Sequence, residues 1–115
     1  ARARLLAPGG TLLPMRDTLR AALVSSEQAY RSRRVPWKRN RYGLNLLPAQ
    51  RYAANEAGKL NLAPGRLASA PQDLAVLDYR TITDPNLDTT IELTATASRR
   101  IHGLALWFDA EIAPG

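Results

Sequence analysis

Two carboxylates stand two residues apart in "WFDAEI", Asp109 and Glu111. On an extended strand that spacing puts both side chains on one face, the arrangement that paired general acid and base chemistry requires. A solvated strand face or a structural ion pair has the same spacing, and is the plainer reading. His102, the single histidine, opens an apolar run with no serine nucleophile motif and no flanking ligand pattern, so it reads as a structural or surface residue. With no cysteine and one histidine, the chain lacks the donor set of a zinc site. The turns "PGG" and "APGR" lack the glycine spacing that cradles phosphate. No catalytic, cofactor-binding or metal-binding residue is therefore assigned.

The densest chemical signal is "YRSRRVPWKRNRYG", Tyr30 to Gly43, with six Lys or Arg, Trp37, Tyr30 and Tyr42, and no acid. Three readings fit it. A basic run is most simply a solvated face. Arginines would contact phosphates while the aromatic rings stack on bases, although no nucleic-acid-binding motif is matched. Aromatic residues with arginine are also the composition of protein interface anchors.

Three regions must position these residues. In "ARARLLAPGGTLLP", Pro8, Gly9 and Gly10 mark a turn from a helix end into a β-prone run closed by Pro14. "DTLRAALVS" alternates as a half-buried strand, with helix as the competing assignment because Ala and Leu favour helix. From Ser25 to Lys59 the pattern turns helical. A serine cap precedes "EQAYRSRR", which Pro36 would end, and Pro48 opens a second helix that Gly58 would stop. The last region reads as β: "DLAVLDYRTI", "TTIELTATA" and a strand of about ten residues in "IHGLALWFDAEI", with "DPNLD" as a turn. In that final strand Leu104, Leu106 and Phe108 share one face, and Ala105, Trp107 and Asp109 the other. The alternation predicts an interior strand. The fold class is mainly β, an antiparallel β-barrel-like domain with an inserted helical arm, α+β overall.

A chain of 115 residues holds one domain with a modest core. No apolar run approaches the roughly 20 residues of a membrane span, and no secretory leader is recognisable. A cytoplasmic protein with no membrane partner is expected, which the absence of cysteine fits. The net charge of +6 is unevenly placed: residues 1–72 hold 13 of the 16 basic residues with three acids, whereas residues 73–115 hold three arginines with seven acids. Two surfaces with different partners, or counterparts in an oligomer, follow from that asymmetry.

In order along the chain, "LLAPGGTLLPMRDTLRAALV", "VPWKRNRYGLNL", "LDYRTITDP" and "IHGLALWFDAEI" resemble the protein arginine methyltransferase family nearly end to end. The resemblance implies that residues 1–14 are the exit from a Rossmann-like methyltransferase domain and residues 15–115 a β-barrel domain, interrupted by a dimerisation arm at residues 25–59. It implies S-adenosylmethionine as cofactor of a full-length parent and proteins with arginine side chains as its substrates. The family's cofactor loop and two-glutamate loop would lie upstream and its Thr-His-Trp element downstream, so none falls in this chain. His102 is not that histidine. The chain alone is expected to be inactive and to bind no cofactor, as a fragment or as a shortened relative. Through Trp37, Asn40, Tyr42 and Gly43 the arm matches the family segment that docks on a second subunit, which with Tyr30 gives the expected homodimer interface. The alternative is a stand-alone module that binds proteins or, weakly through its basic arm, nucleic acid.

Overall fold

The computed structural model describes residue 4 and residues 6–39, 42–84 and 86–112. Its centre is a three-stranded antiparallel sheet in the order β2-β1-β3, formed by β1 (Arg16–Val24), β2 (Gln72–Asp78) and β3 (Gly103–Glu111). The expected "TLLP" strand does not form; the chain turns through Gly9, at φ +76°, and pairing starts only at Arg16. β1 lies in the middle, paired with β2 on one side and β3 on the other. Ala21 and Ala22 are fully buried, and with Val24 and Ala68 they make up the buried apolar core among the described residues.

The register separates two faces. Leu19, Ala21 and Leu23 lie opposite Phe108, Leu106 and Leu104, and Leu19 also faces Ala75. Directly opposed residues share a side of the sheet, so these residues form one apolar face. Arg16, Thr18 and Arg20 point to the other, opposite Glu111, Asp109 and Trp107 of β3. The expected division of the last strand into two faces holds. Its expected interior position does not: β3 is an edge of the three-stranded sheet, and Leu104, Leu106 and Phe108 are 55%, 63% and 61% exposed. Alternation reports which side chains share a face, and leaves open whether anything covers it.

"TTIELTATA" is also not a strand. Ser69 and Ala95 make a single bridge and Thr96 donates to the Ala68 carbonyl at 2.9 Å, but no ladder extends from it. The sheet is therefore not closed into a barrel among the described residues. In "DPNLD", Asp84 Oδ1 accepts the Asn86 backbone N–H at 2.9 Å, and Pro85, on which the expected turn rests, lies outside the described residues.

Between β1 and β2 the chain makes a long helical excursion. Helix α1 (Glu27–Lys38) starts at Ser26, whose Oγ accepts the Ala29 N–H at 3.4 Å, with Glu27 in the first turn and Lys38 in the last. Both charges complement the helix dipole. Pro36 lies inside the helix instead of ending it. Its ring supplies no N–H to the Ser32 carbonyl, yet the helix runs two residues further and the Arg39 N–H closes it on the Pro36 carbonyl at 3.4 Å. A 3₁₀ turn at Leu47–Ala49, with Pro48 in its first turn, leads into α2 (Gln50–Ala54), which ends at Asn55, three residues before Gly58. The excursion then returns to its origin: Ser25 N–H donates to Arg66 at 2.8 Å and Ala68 N–H to Leu23 at 2.7 Å. No helix among the described residues is long and apolar enough to cross a membrane.

Candidate functional site

On the polar face of the sheet, two arginines of β1 meet carboxylates from both neighbours. Arg20 lies 2.9 Å from Asp73 and 2.7 Å from Asp109, and Arg16 lies 3.8 Å from Asp78 and 3.5 Å from Glu111. Asp109 and Glu111 do share a face, but each is matched to a guanidinium rather than to the other. Their geometry is that of cross-strand ion pairs. Asp73 reaches this face through a bulge in β2, which shifts the register between Leu19 and Arg20. Asp78 also takes Arg80, whose Nη2 is 2.9 Å from Oδ2 and whose backbone N–H donates to Oδ1 at 2.9 Å. First the side-chain and then the backbone bond from Arg80 hold the Asp78 carboxyl well below the usual carboxylate range.

A second polar pair was not legible in the sequence. Asp17 is 8% exposed, and Tyr79 donates its hydroxyl to Asp17 Oδ2 at 2.6 Å. That bond, more than burial, raises the phenol above its ordinary value. The residues are 62 positions apart and meet only because the Tyr79 N–H reaches the Met15 carbonyl at 3.0 Å beyond the end of the β1–β2 ladder.

The basic excursion is organised around Tyr30. Its ring centroid lies 5.3 Å from that of His102, with the planes at 54°. The Arg34 guanidinium sits 4.9 Å from the same ring, donates to the Tyr30 hydroxyl, and reaches Gln50 Oε1 at 3.3 Å. Gln50, 8% exposed, returns a bond from Nε2 to the Arg34 carbonyl at 3.1 Å. These contacts tie α1 to the sheet and to α2. His102, read from sequence as structural or surface, is the sheet's contribution to this cluster.

Of the five residues expected at the dimer interface, four are described. Tyr30 is engaged within the chain, Trp37 is half-buried near the end of α1, and Tyr42 is 79% exposed. Gly43 has φ +69°, a turn conformation that side chains disfavour, with open space around it. Asn40 lies outside the described residues. Beneath the excursion an open hollow of about 980 Å³ runs from α1 and residues 53–62 to the start of β3.

Comparison with known proteins now gives this architecture a family. Residues 15–115 match the model of the arginine methyltransferase oligomerization subdomain. Probable protein arginine N-methyltransferase 6.2 of Oryza sativa subsp. indica is 30% identical over 118 residues, covering 96% of this chain and 30% of that protein. Probable protein arginine N-methyltransferase 6 of Arabidopsis thaliana is 29% identical, covering 98% of this chain and 27% of its own length. Arginine N(omega)-methyltransferase of Streptomyces achromogenes subsp. streptozoticus is 28% identical, covering 100% and 32%. The chain belongs to the protein arginine methyltransferase family and carries its oligomerization subdomain. It spans about a third or less of the length of these curated relatives.

Proposed function

We propose that this chain is the barrel and dimerisation portion of an S-adenosylmethionine-dependent protein arginine methyltransferase, and that residues 25–59 are the arm by which two subunits associate. The observation that carries the reading is the closed excursion. The chain leaves β1 at Ser25, builds two helices, and returns to the same place at Arg66. α1 buries none of its residues, and Tyr42, Leu44, Leu47 and Tyr52 all face solvent. A helical pair that buries so little of itself gains stability by covering its apolar side chains against something else. The match to an oligomerization subdomain favours a second subunit as that cover.

In this reading Tyr30, Trp37, Asn40, Tyr42 and Gly43 lie along the docking surface, with Trp37 and Tyr42 as anchors. The cofactor and the groups that grip the substrate guanidinium belong to the methyltransferase domain of the full-length protein. The present chain supports association and part of the substrate groove, for substrates that are proteins bearing arginine. Its sheet forms part of a barrel completed elsewhere in that protein.

The test is sedimentation of the full-length protein. Truncating a desolvated aromatic anchor typically costs about 2 kcal/mol or more, so Trp37→Ala with Tyr42→Ala should shift dimer to monomer. If the stretch serves nucleic acid instead, the double variant stays dimeric. The protein then binds single strands tightly, with a log-log salt slope of about −4 for six phosphate contacts.

A further inference from the structure

We infer that the hollow beneath the arm receives an acidic segment of the second subunit, residues 87–92, and that opposite charges hold it there. The inference rests on the arm reading above and adds to it a place of contact and the chemistry of the partner.

The hollow has cations on one wall and apolar groups on another. α1 lends it Arg33 and Arg34 and the returning segment adds Lys59, against the single carboxylate of Glu56. Arg34 is engaged with Tyr30 and Gln50, and Arg31 on the same helix is paired with Glu27. Arg33 and Lys59 have no acidic partner among the described residues. The Arg33 guanidinium lies where a side chain at position 58 would begin, so Gly58 gives it its place in the wall. Leu60, with Leu104 and Leu106 of β3, supplies exposed apolar surface. Residues 56–62 make no backbone–backbone hydrogen bond among the described residues, which leaves main-chain donors and acceptors for a peptide.

Residues 87–92, "LDTTIE", have the matching pattern. From Thr81 to Ser98 the chain has no Lys or Arg, and Asp88 and Glu92 are exposed and form no ion pair among the described residues. The carboxylates of β2 and β3, by contrast, are already matched to Arg16, Arg20 and Arg80. The stretch lies outside every helix and ladder, and residues 87–93 make no backbone–backbone hydrogen bond among the described residues. Taken up as a strand, it puts Asp88 and Glu92 on one side and Leu87 and Ile91 on the other. Laid in the hollow, the first side meets Arg33 and Lys59, and the second meets Leu104 and Leu106. No residue of 87–92 lines the hollow of its own chain, so a second copy supplies the segment. Under a twofold axis each copy gives one segment and receives one.

The experiment is charge reversal in the full-length protein. One variant carries Arg33→Glu and Lys59→Glu, the other Asp88→Lys and Glu92→Lys. Each alone should dimerise about tenfold or more weakly than wild type, because like charges then face each other across the contact. An equimolar mixture should recover a heterodimer of near wild-type affinity: the reversed hollow meets the reversed segment, and the unaltered hollow meets the unaltered segment. A single protein carrying all four changes should likewise recover, which a variant that had merely failed to fold could not do. Wild-type association should also weaken between about 0.1 M and about 1 M salt, as the screening length falls from about 10 Å to about 3 Å. No recovery in either the mixture or the fourfold variant overturns the inference, and is the result expected if the hollow takes another protein or another part of its own chain. Charge variants that dimerise like wild type while the Trp37→Ala, Tyr42→Ala protein is monomeric overturn it too, and leave the arm reading standing. If that aromatic double variant itself stays dimeric, the arm reading fails and this inference fails with it.

Discussion

Tyr79 and Asp17 offer the sharpest test at the scale of single residues. The Asp17 bond keeps the phenol neutral in the fold at a pH where the unfolded chain ionises it. Its folded value lies above its unfolded one, so the stabilisation is fully present below about pH 10 and is lost as pH rises beyond it. Tyr79→Phe should lower the denaturation midpoint at neutral pH, by about 1–3 kcal/mol for a buried carboxylate left without its donor. It should also remove the alkaline loss expected of the wild type. Equal alkaline sensitivity in both proteins would assign that loss to other groups. Neither partner could be paired from sequence, because nothing local in "MRDTL" or "LDYRT" records a contact across 62 positions. The shared face of Asp109 and Glu111 was readable, since it needs only the two-residue period of a strand. Their arginine partners depend on register, and for Asp73 on a bulge that no turn residue announces.

Among the elements, β1, β2 and β3 follow from alternation, and both helices of the excursion from their caps and prolines. Where the reading erred, the missing information was tertiary. Residues 89–97 alternate like a strand, but a strand needs an edge to pair with, and only Ala95 finds one. Pro36 looked like a terminator, yet the helix runs on to Lys38: the proline lacks its own bond to the Ser32 carbonyl but leaves the N–H groups of the residues after it free to bond. β3 alternates as a core strand and stands at an edge, which changes what its substitutions do. In the 115-residue chain Leu106→Ala should shift stability by no more than about 0.5 kcal/mol, as exposed substitutions do. Ala21→Leu, forced into a fully buried site between two neighbours, should cost about 1–3 kcal/mol. Urea denaturation of the two variants checks the ranking. A larger loss at Leu106 than at Ala21 would mean that the apolar face is covered within this chain.

The whole molecule is extended. Its radius of gyration is 19.2 Å and its dimensions 63 × 35 × 24 Å, against about 13 Å for a compact domain of this length. Two surfaces account for what compactness would have hidden. One is the apolar face of the sheet at Leu104, Leu106 and Phe108; the other is the excursion, where residues 25–59 carry eight of the 16 basic residues with only Glu27 and Glu56 against them. The family match supplies the reason to expect a second subunit at the latter. The geometry also provides a way to remove the arm cleanly. Ser25 and Arg66 are hydrogen-bonded at 2.8 Å, so replacing residues 26–65 by a short glycine linker should leave the three-stranded sheet intact. Sedimentation velocity on the full-length protein carrying that replacement tests the central claim directly. The account predicts a folded monomer at concentrations where the wild type is a dimer; a protein that still sediments as a dimer without its arm would contradict it.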